Sequence, residues 1–179
     1  MGKIVAVEYL TLDGIMENPG WSGPYFNDEV SAFQYANLME ADALLLGRVT
    51  YEGFAQAWPA MEEQTGDFGV KMNTMPKHVA TTTLTDPEWN ARFIEGDVAA
   101  YVTALKATDA SVLINGSATL VAFLAAAGLI DEFRFMIYPV VVGEGKHLWP
   151  AGQAPAALSL TNSQITASGV AILTYVPAA

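Results

Sequence analysis

The chain contains no cysteine. That removes disulfides, thiolate nucleophiles and cysteine-ligated zinc or iron–sulfur centres together, and it fits a reducing compartment. Positive charge is also scarce: 8 Lys+Arg stand against 19 Asp+Glu, a formal net charge of −11. A field of that sign repels polyphosphate backbones and anionic lipid, so the expectation is neither a nucleic-acid nor a membrane-surface protein. His78 and His147 are the 2 histidines, distant in sequence and without HExxH spacing, and no metal site is expected from them. No long hydrophobic run is present either. The apolar stretch at residues 121–130 falls short of the roughly 20 residues that span a bilayer. The N-terminus shows no basic region followed by an apolar core, and Ala6 stands where myristoylation after Gly2 wants Ser or Thr. The expectation is a cytoplasmic protein.

What is present is apolar material. Hydrophobic residues make up 52% and charged residues 15% of 179 positions, enough for a sizeable core and against disorder. At about 150 residues per domain this is roughly one domain, residues 1–179. Residues 3–10 (KIVAVEYL) read as a buried strand, and residues 11–24, rich in Gly and Pro, as a long loop. Asn27 or Asp28 caps a helix to about residue 40. Residues 41–46 form a second strand, followed by a helix from Val49 or Thr50 to about residue 57. Residues 61–75 read as a polar, glycine-bearing excursion. Strands follow at 77–83 and 91–94, then a helix at 98–107 capped by Asp97. Residues 111–115 are a further strand, 118–127 a helix closed by Gly128, and 132–142 a long strand ending in the Gly143-Glu144-Gly145 turn. Residues 158–167 and 170–176 alternate as a terminal hairpin. Strands alternating with helices predict a three-layer α/β fold, mainly parallel, with helices on both faces and a C-terminal antiparallel hairpin. Ligands in such sheets bind beyond the carboxyl ends of the strands, near a topological switch point.

Three strand exits carry candidate chemistry. Gly47-Arg48-Val49-Thr50-Tyr51 offers a glycine for close backbone approach, a helix start for an anion and a guanidinium fork; a surface arginine beside a cap reads equally from these residues. Asn115-Gly116-Ser117-Ala118-Thr119 repeats strand, Gly-Ser, helix, which serves either an anion or simple capping. Thr81-Thr82-Thr83 supplies hydroxyls to a phosphate or ribose, or merely β-propensity. Neither a complete GxGxxG nor a Walker lysine occurs. Asp28-Glu29 either caps a helix or feeds a proton to a substrate. Trp21, Tyr25 and Phe26 either pack over a planar ligand or anchor their loop.

Taken in order, Leu10-Thr11-Leu12-Asp13-Gly14, the stretch ADALLLGRVTY at residues 41–51, Ile114-Asn115-Gly116-Ser117-Ala118-Thr119-Leu120, Gly128-Leu129-Ile130-Asp131-Glu132-Phe133 and the stretch YPVVVGEG at residues 138–145 make the chain recognisable. It resembles the dihydrofolate reductase superfamily, in the branch of the C-terminal reductase domain of riboflavin biosynthesis. The resemblance covers nearly the whole chain and implies NADPH as cofactor. It implies that Gly47, Arg48 and Thr50 face the phosphates, with Arg48 on the 2′-phosphate. Thr81 and Thr82 would lie near the adenosine side, Gly116, Ser117, Ala118 and Thr119 around the pyrophosphate, and Leu12 and Gly14 beside the nicotinamide. Asp13 is the first choice for a substrate-contacting catalytic carboxylate and Glu29 the second, with Trp21, on a plausible lid, and Tyr51 toward the substrate. Asn115-Gly116 departs from the paired glycines of folate reductases, and Asp28 or Glu29 stands only roughly where their helix acid would be. The zinc deaminase half of the riboflavin enzyme needs cysteine ligands and is not expected. The function expected is NADPH-dependent reduction of a C=N or C=O bond in a small polar, pteridine- or pyrimidine-like molecule, similar to 5-amino-6-(5-phosphoribosylamino)uracil. A non-catalytic nucleotide-binding module and a true dihydrofolate reductase are the alternatives. The strand at residues 133–142 and its glycine turn are expected to pair with a second subunit in a homodimer.

Overall fold

The computed structural model describes residues 2–178. Its frame is an eight-stranded sheet. In chain order the strands are β1 (Lys3–Thr11), β2 (Ala43–Gly47), β3 (Lys77–Ala80), β4 (Ala91–Ile94), β5 (Ser111–Asn115), β6 (Glu132–Tyr138), β7 (Leu158–Ile165) and β8 (Ala171–Pro177). Across the sheet they run β4-β3-β2-β5-β1-β6-β8-β7. The first six are parallel, and β8 runs antiparallel to both β6 and β7. The helices are α1 (Asp28–Glu40), α2 (Arg48–Thr65), α3 (Asp67–Thr74), α4 (Val98–Lys106) and α5 (Ala118–Ala126). A short 3-10 helix, Pro19–Tyr25, interrupts the loop after β1. The three-layer α/β architecture and the terminal hairpin are as the sequence indicates.

The continuous apolar runs have a physical cause. Parallel strands bury both faces, so alternate residues of one strand enter different cores. Val5 and Val7 pack with Leu44 and Leu46 under α1, α2 and α3, while Ile4, Ala6 and Leu45 pack under α4 and α5. Each such aliphatic side chain contributes about 1.5–3 kcal/mol by leaving water. The N-terminal edge of the sheet is tied by ion pairs: Lys3 with Glu132 at 2.7 Å and Lys106 with Asp131 at 2.6 Å.

Several boundaries differ from the sequence expectation. The polar excursion at residues 61–75 is helical: α2 continues past Pro59 to Thr65, and α3 follows. Gly66, at φ 57°, makes the bend between them. Gly69 lets the two helices touch, since a Cβ there would lie 2.8 Å from the Glu62 Cα. Glycine here serves close packing, and read locally it looks like a loop. β3 stops at Ala80 because the Thr81 Oγ1 accepts from the Thr83 and Leu84 amides and turns the chain. β6 stops at Tyr138, after which the Val142 and Gly143 amides turn to the Asp13 carboxylate. β6 is also an interior strand, flanked by β1 and β8, so it has no edge to offer a second subunit. The exposed edge on that side is β7, where Leu160 and Ile165 face solvent. Among the described residues no helix is long and apolar enough to cross a membrane.

One buried cation is part of this frame. Lys77 is 1% exposed, donates to the Asn73 carbonyl at 3.1 Å and lies 3.9 Å from the centre of the Trp89 ring. Burial lowers its pKa to about 8. Between about pH 8 and about pH 10 the folded state has therefore shed a proton that the unfolded chain still holds, and stability rises with pH across that window. Lys77→Met is expected to remove this rise, as read by thermal melts at stepped pH in wild type and variant; an unchanged slope would show that Lys77 is charged in the fold at pH 10.

Candidate functional site

The sheet has a switch point between β2 and β5. These strands are neighbours, yet α2 leaves β2 toward the α1 face and α5 leaves β5 toward the α4 face. Such a divergence opens a crevice at the strand exits, where ligands of α/β sheets settle. Here Gly47 ends β2, and Gly116 and Ser117 follow β5, the latter two at φ 75° and 66°. The expectation that Gly47 admits a ligand is corrected: a Cβ on Gly47 would overlap the Ser117 Oγ and lie 2.9 Å from its Cβ, so the missing side chain admits Ser117. Reciprocally, a Cβ on Gly116 would stand 3.0 Å from the Thr50 Oγ1, and the Thr50 and Ser117 hydroxyls are 3.4 Å apart. The two helix starts thus meet across the crevice.

Capping distinguishes these two helices. Of the four helices that begin after a strand, α1 is capped by the Asn27 side chain and α4 by Asp97. α2, opening on Gly47, and α5, opening on Ser117, receive no side-chain cap. Their first N–H groups and positive dipole ends lie open at the rim, which is the physical requirement for an anion site.

Beside the crevice lies a groove of about 1110 Å³ at the exits of β3 and β4, lined by Arg48, Thr81, Thr82, Thr83, Arg92 and neighbours. Arg48 pairs with Glu52 at 2.8 Å and borders this groove, which the Gly116 turn does not line. Ala118 and Thr119 border a second, largely apolar cavity of about 530 Å³ against residues 146–153. The residues expected around one cofactor therefore fall into adjoining places along the rim. Their donors and the two uncapped helix starts fit an elongated ligand carrying phosphates. Four strand spacings of about 4.8 Å separate β4 from β1, so a ligand starting in the groove and crossing the crevice ends near β1 after roughly 19 Å.

At that end, on the α1 face, Tyr9, Trp21 and Tyr25 surround Tyr138, with ring centroids 5.1, 5.4 and 6.3 Å away. Tyr9 accepts from the Gln34 amide at 3.1 Å, and the buried Tyr138 hydroxyl meets only the Tyr9 hydroxyl, outside good hydrogen-bond geometry. Burial raises both phenols above their ordinary pKa, so both keep their protons at neutral pH. On the opposite face of β1 the Glu8 carboxyl is 1% exposed. Its Oε2 accepts from the Gly116 N–H at 3.0 Å, and its Oε1 has no partner. Burial pushes its pKa well up, against the lesser effect of that amide.

The carboxylates chosen from sequence have other work. Asp13 accepts from the Thr11 hydroxyl at 2.5 Å and from the Gly143 amide at 2.8 Å, which hold it down to about 2; it fastens the loop after β1 to the loop after β6 and has no proton to give at neutral pH. Glu29 accepts from the Ala167 amide at 2.6 Å and so ties α1 to the β7–β8 turn. Tyr51 is buried against Phe93 with its hydroxyl on the Glu88 backbone, a core residue and not a substrate contact. Leu12 is exposed, and Gly14 turns the chain at φ 79° beside His147. His78 hydrogen-bonds the Tyr101 hydroxyl at 2.8 Å. Among the described residues no group of His, Asp and Glu is placed to hold a metal ion. Glu8 and Tyr138 were not singled out in the sequence; the only signal was an acidic residue inside the apolar run VAVEYL.

Fold and rim together define a dihydrofolate reductase-like α/β protein. The RibD C-terminal domain family matches residues 3–173, and the chain belongs to it. Uncharacterized protein YyaP of Bacillus subtilis strain 168 is 27% identical over 178 residues, covering 97% of this chain and 94% of that protein. Among solved structures, a Shewanella sp. PV-4 protein provisionally assigned to riboflavin biosynthesis superposes with TM-score 0.80 at 18% identity, over 99% of both chains. The Thermotoga maritima diaminohydroxyphosphoribosylaminopyrimidine deaminase/5-amino-6-(5-phosphoribosylamino)uracil reductase gives 0.68 at 14% identity, over 99% of this chain and 57% of that one. Dihydrofolate reductase from Enterococcus faecalis, complexed with NADP(H), gives 0.65 at 13% identity, over 98% and 96%.

The crevice contact is testable by stability alone. Gly47→Ala is expected to cost about 1–3 kcal/mol by overpacking. In a Ser117→Gly background, where the overlapping hydroxymethyl is gone, the same change is expected to cost much less, as measured by denaturant melts in a double-mutant cycle. Additive costs would mean that the two strand exits do not touch.

Proposed function

We propose that the protein is a cytoplasmic NADPH-dependent reductase acting on a C=N or C=O bond of a small planar, pteridine- or pyrimidine-like molecule. The observation that carries this reading is the pair of uncapped helix starts meeting at the switch point, continuous with a groove that holds Arg48 and Arg92. Family membership and the fold shared with an NADP(H)-complexed reductase support it. Gly116, Ser117 and Thr50 would hold the pyrophosphate, Thr81, Thr82 and Arg48 the adenosine side and its 2′-phosphate. The bound coenzyme would supply the hydride. Trp21 and Tyr25, carried on the 3-10 helix, would close over the substrate and exclude water. The Tyr138 hydroxyl, which meets only that of Tyr9, would donate a hydrogen bond to it. A folate-type acid on α1 finds no support here, because the buried residues of that helix are Val30, Asn37 and Leu38.

Fluorescence titration with NADPH and NADH tests the coenzyme. Arg48→Ala is expected to weaken NADPH by about tenfold, or about 1.4 kcal/mol, and NADH far less. If neither nucleotide binds wild type at millimolar concentration, the reading fails; tight binding without NADPH oxidation across a substrate panel would favour the binding-module alternative.

Tyr138→Phe separates function from stability. Removing this poorly paired buried hydroxyl is expected to change stability by no more than about 1 kcal/mol while turnover falls and coenzyme affinity stays. Unchanged turnover would place the substrate elsewhere.

A further inference from the structure

Glutamate is out of place at position 8. On its face of β1 the neighbours are Ala6 and Leu10, and Phe135 stands opposite on β6. Acidic residues are almost never fully buried unless paired. Among the described residues no Lys, Arg or His pairs with Glu8. Its one hydrogen bond reaches the Gly116 amide, and Oε1 stays empty.

We propose that Glu8 sets the affinity of the Gly116–Ser117 turn for the coenzyme. Protonated, its carboxyl steadies the turn through the Gly116 N–H and places no negative charge beneath it. Ionised, it repels the phosphates that the turn receives. The proposal rests on the coenzyme reading of this rim. An anion held by the N–H groups after Gly116 sits within a peptide unit or two of the Glu8 carboxyl, inside the low-dielectric sheet, where like charges are costly. Burial already favours the neutral acid, and Oε1 is the oxygen free to carry the proton. A bound anion favours that form further, so coenzyme binding draws a proton onto Glu8 wherever the free protein has begun to lose it. Affinity then falls as pH rises through the Glu8 pKa, by up to about tenfold per unit.

Other charged or titratable groups lie along the same rim of the sheet. They are the Arg48–Glu52 pair on α2, Asp13 and Glu17 in the loop after β1, and Lys146 and His147 beside Gly14 and Met16. None hydrogen-bonds to Glu8, and their titration, like that of the coenzyme, is common to wild type and a Glu8 variant.

The test measures NADPH and NADH affinity by fluorescence from about pH 5.5 to about pH 9, and proton uptake by calorimetry in two buffers of different ionisation heat. Wild type is expected to bind more weakly as pH rises and to take up protons. Glu8→Gln, which keeps the shape and an acceptor for Gly116, is expected to lose the Glu8-dependent slope and uptake and to bind better than wild type at high pH. Glu8→Asp, too short to reach Gly116, is expected to bind more weakly at every pH. Equal slopes and equal uptake in wild type and Glu8→Gln overturn the proposal, since a purely structural role predicts them. Should the Gln variant not fold, absence of proton uptake by wild type overturns it instead. Wild type that binds neither nucleotide overturns this inference together with the coenzyme reading.

Discussion

The close approach of β2 and β5 at their exits governs the rest of the molecule. Two parallel neighbours whose helices depart to opposite faces must bring two helix starts together, and any side chain at Gly47 would prevent it. Gly116 and Ser117, both with positive φ, redirect the chain from β5 into α5 within two residues. A left-handed serine costs about 1–2 kcal/mol over a right-handed one, and the surrounding packing offsets it. In exchange the first turns of α2 and α5 converge on one rim with no side chain capping either. Capping would stabilise each helix by about 1 kcal/mol; its absence at these two starts sets them apart from α1 and α4.

A chain of net charge −11 gathers negative ligands only by local construction. The cations are distributed accordingly. Lys3, Lys106 and Arg134 pair with Glu132, Asp131 and Glu40 at the N-terminal edge of the sheet, where they fasten β1, β6 and their neighbours. Lys77 is sealed against Trp89. Arg48 and Arg92 stand in the groove at the opposite edge. Distant carboxylates are damped beyond about 8 Å at physiological salt, so the mean field of the chain does not forbid an anion at the rim, although Glu52 pairs with Arg48 and Glu95 joins Arg92 in the groove. The parallel arrangement places the starts of α2, α4 and α5 at that edge, and the ion pairs of Lys3, Lys106 and Arg134 occupy the other.

The framework was legible because parallel strands write a strong signal: KIVAV, ALLL and SVLIN each announce a strand buried on both faces. The strand exits at Gly47 and Gly116 followed from that reading, and so did the C-terminal hairpin. Less legible was anything that depends on two elements meeting. Gly69 and Pro59 look like breakers in isolation, yet Gly69 is where α3 touches α2. The strand at residues 133–142 was expected to pair with a second subunit because its apolar length gives no sign that β8 takes its far side. Asp13 stood in a family-like stretch, and only the fold shows the Gly143 amide, 130 residues away in sequence, that keeps it ionised. Arg48 was expected to face the phosphates with Gly47 and Thr50, but it pairs with Glu52 and borders the groove that holds Thr81.

The two carboxyls nearest the end of β1 show how environment divides work between like groups. Asp13 is half-buried and receives several hydrogen bonds, all of which favour its anion. Glu8 is buried and receives one, and burial prevails over that single amide. The first is a fixed negative strap at neutral pH, and the second is a reservoir for a proton. They also lie on opposite terms with the ligand rim. Asp13 reaches away, to the loop after β6, while Glu8 grips the turn that follows β5. A fold that places its acid inside the central strand, in contact with the backbone of the anion turn, couples protonation to ligand seating through one hydrogen bond. An acid on α1 would be coupled to the other face, where Tyr9 and Tyr138 already supply neutral hydroxyls. The α1 face therefore carries neutral hydroxyls and aromatic rings at the end of β1, while the opposite face carries the acid that touches the Gly116 turn.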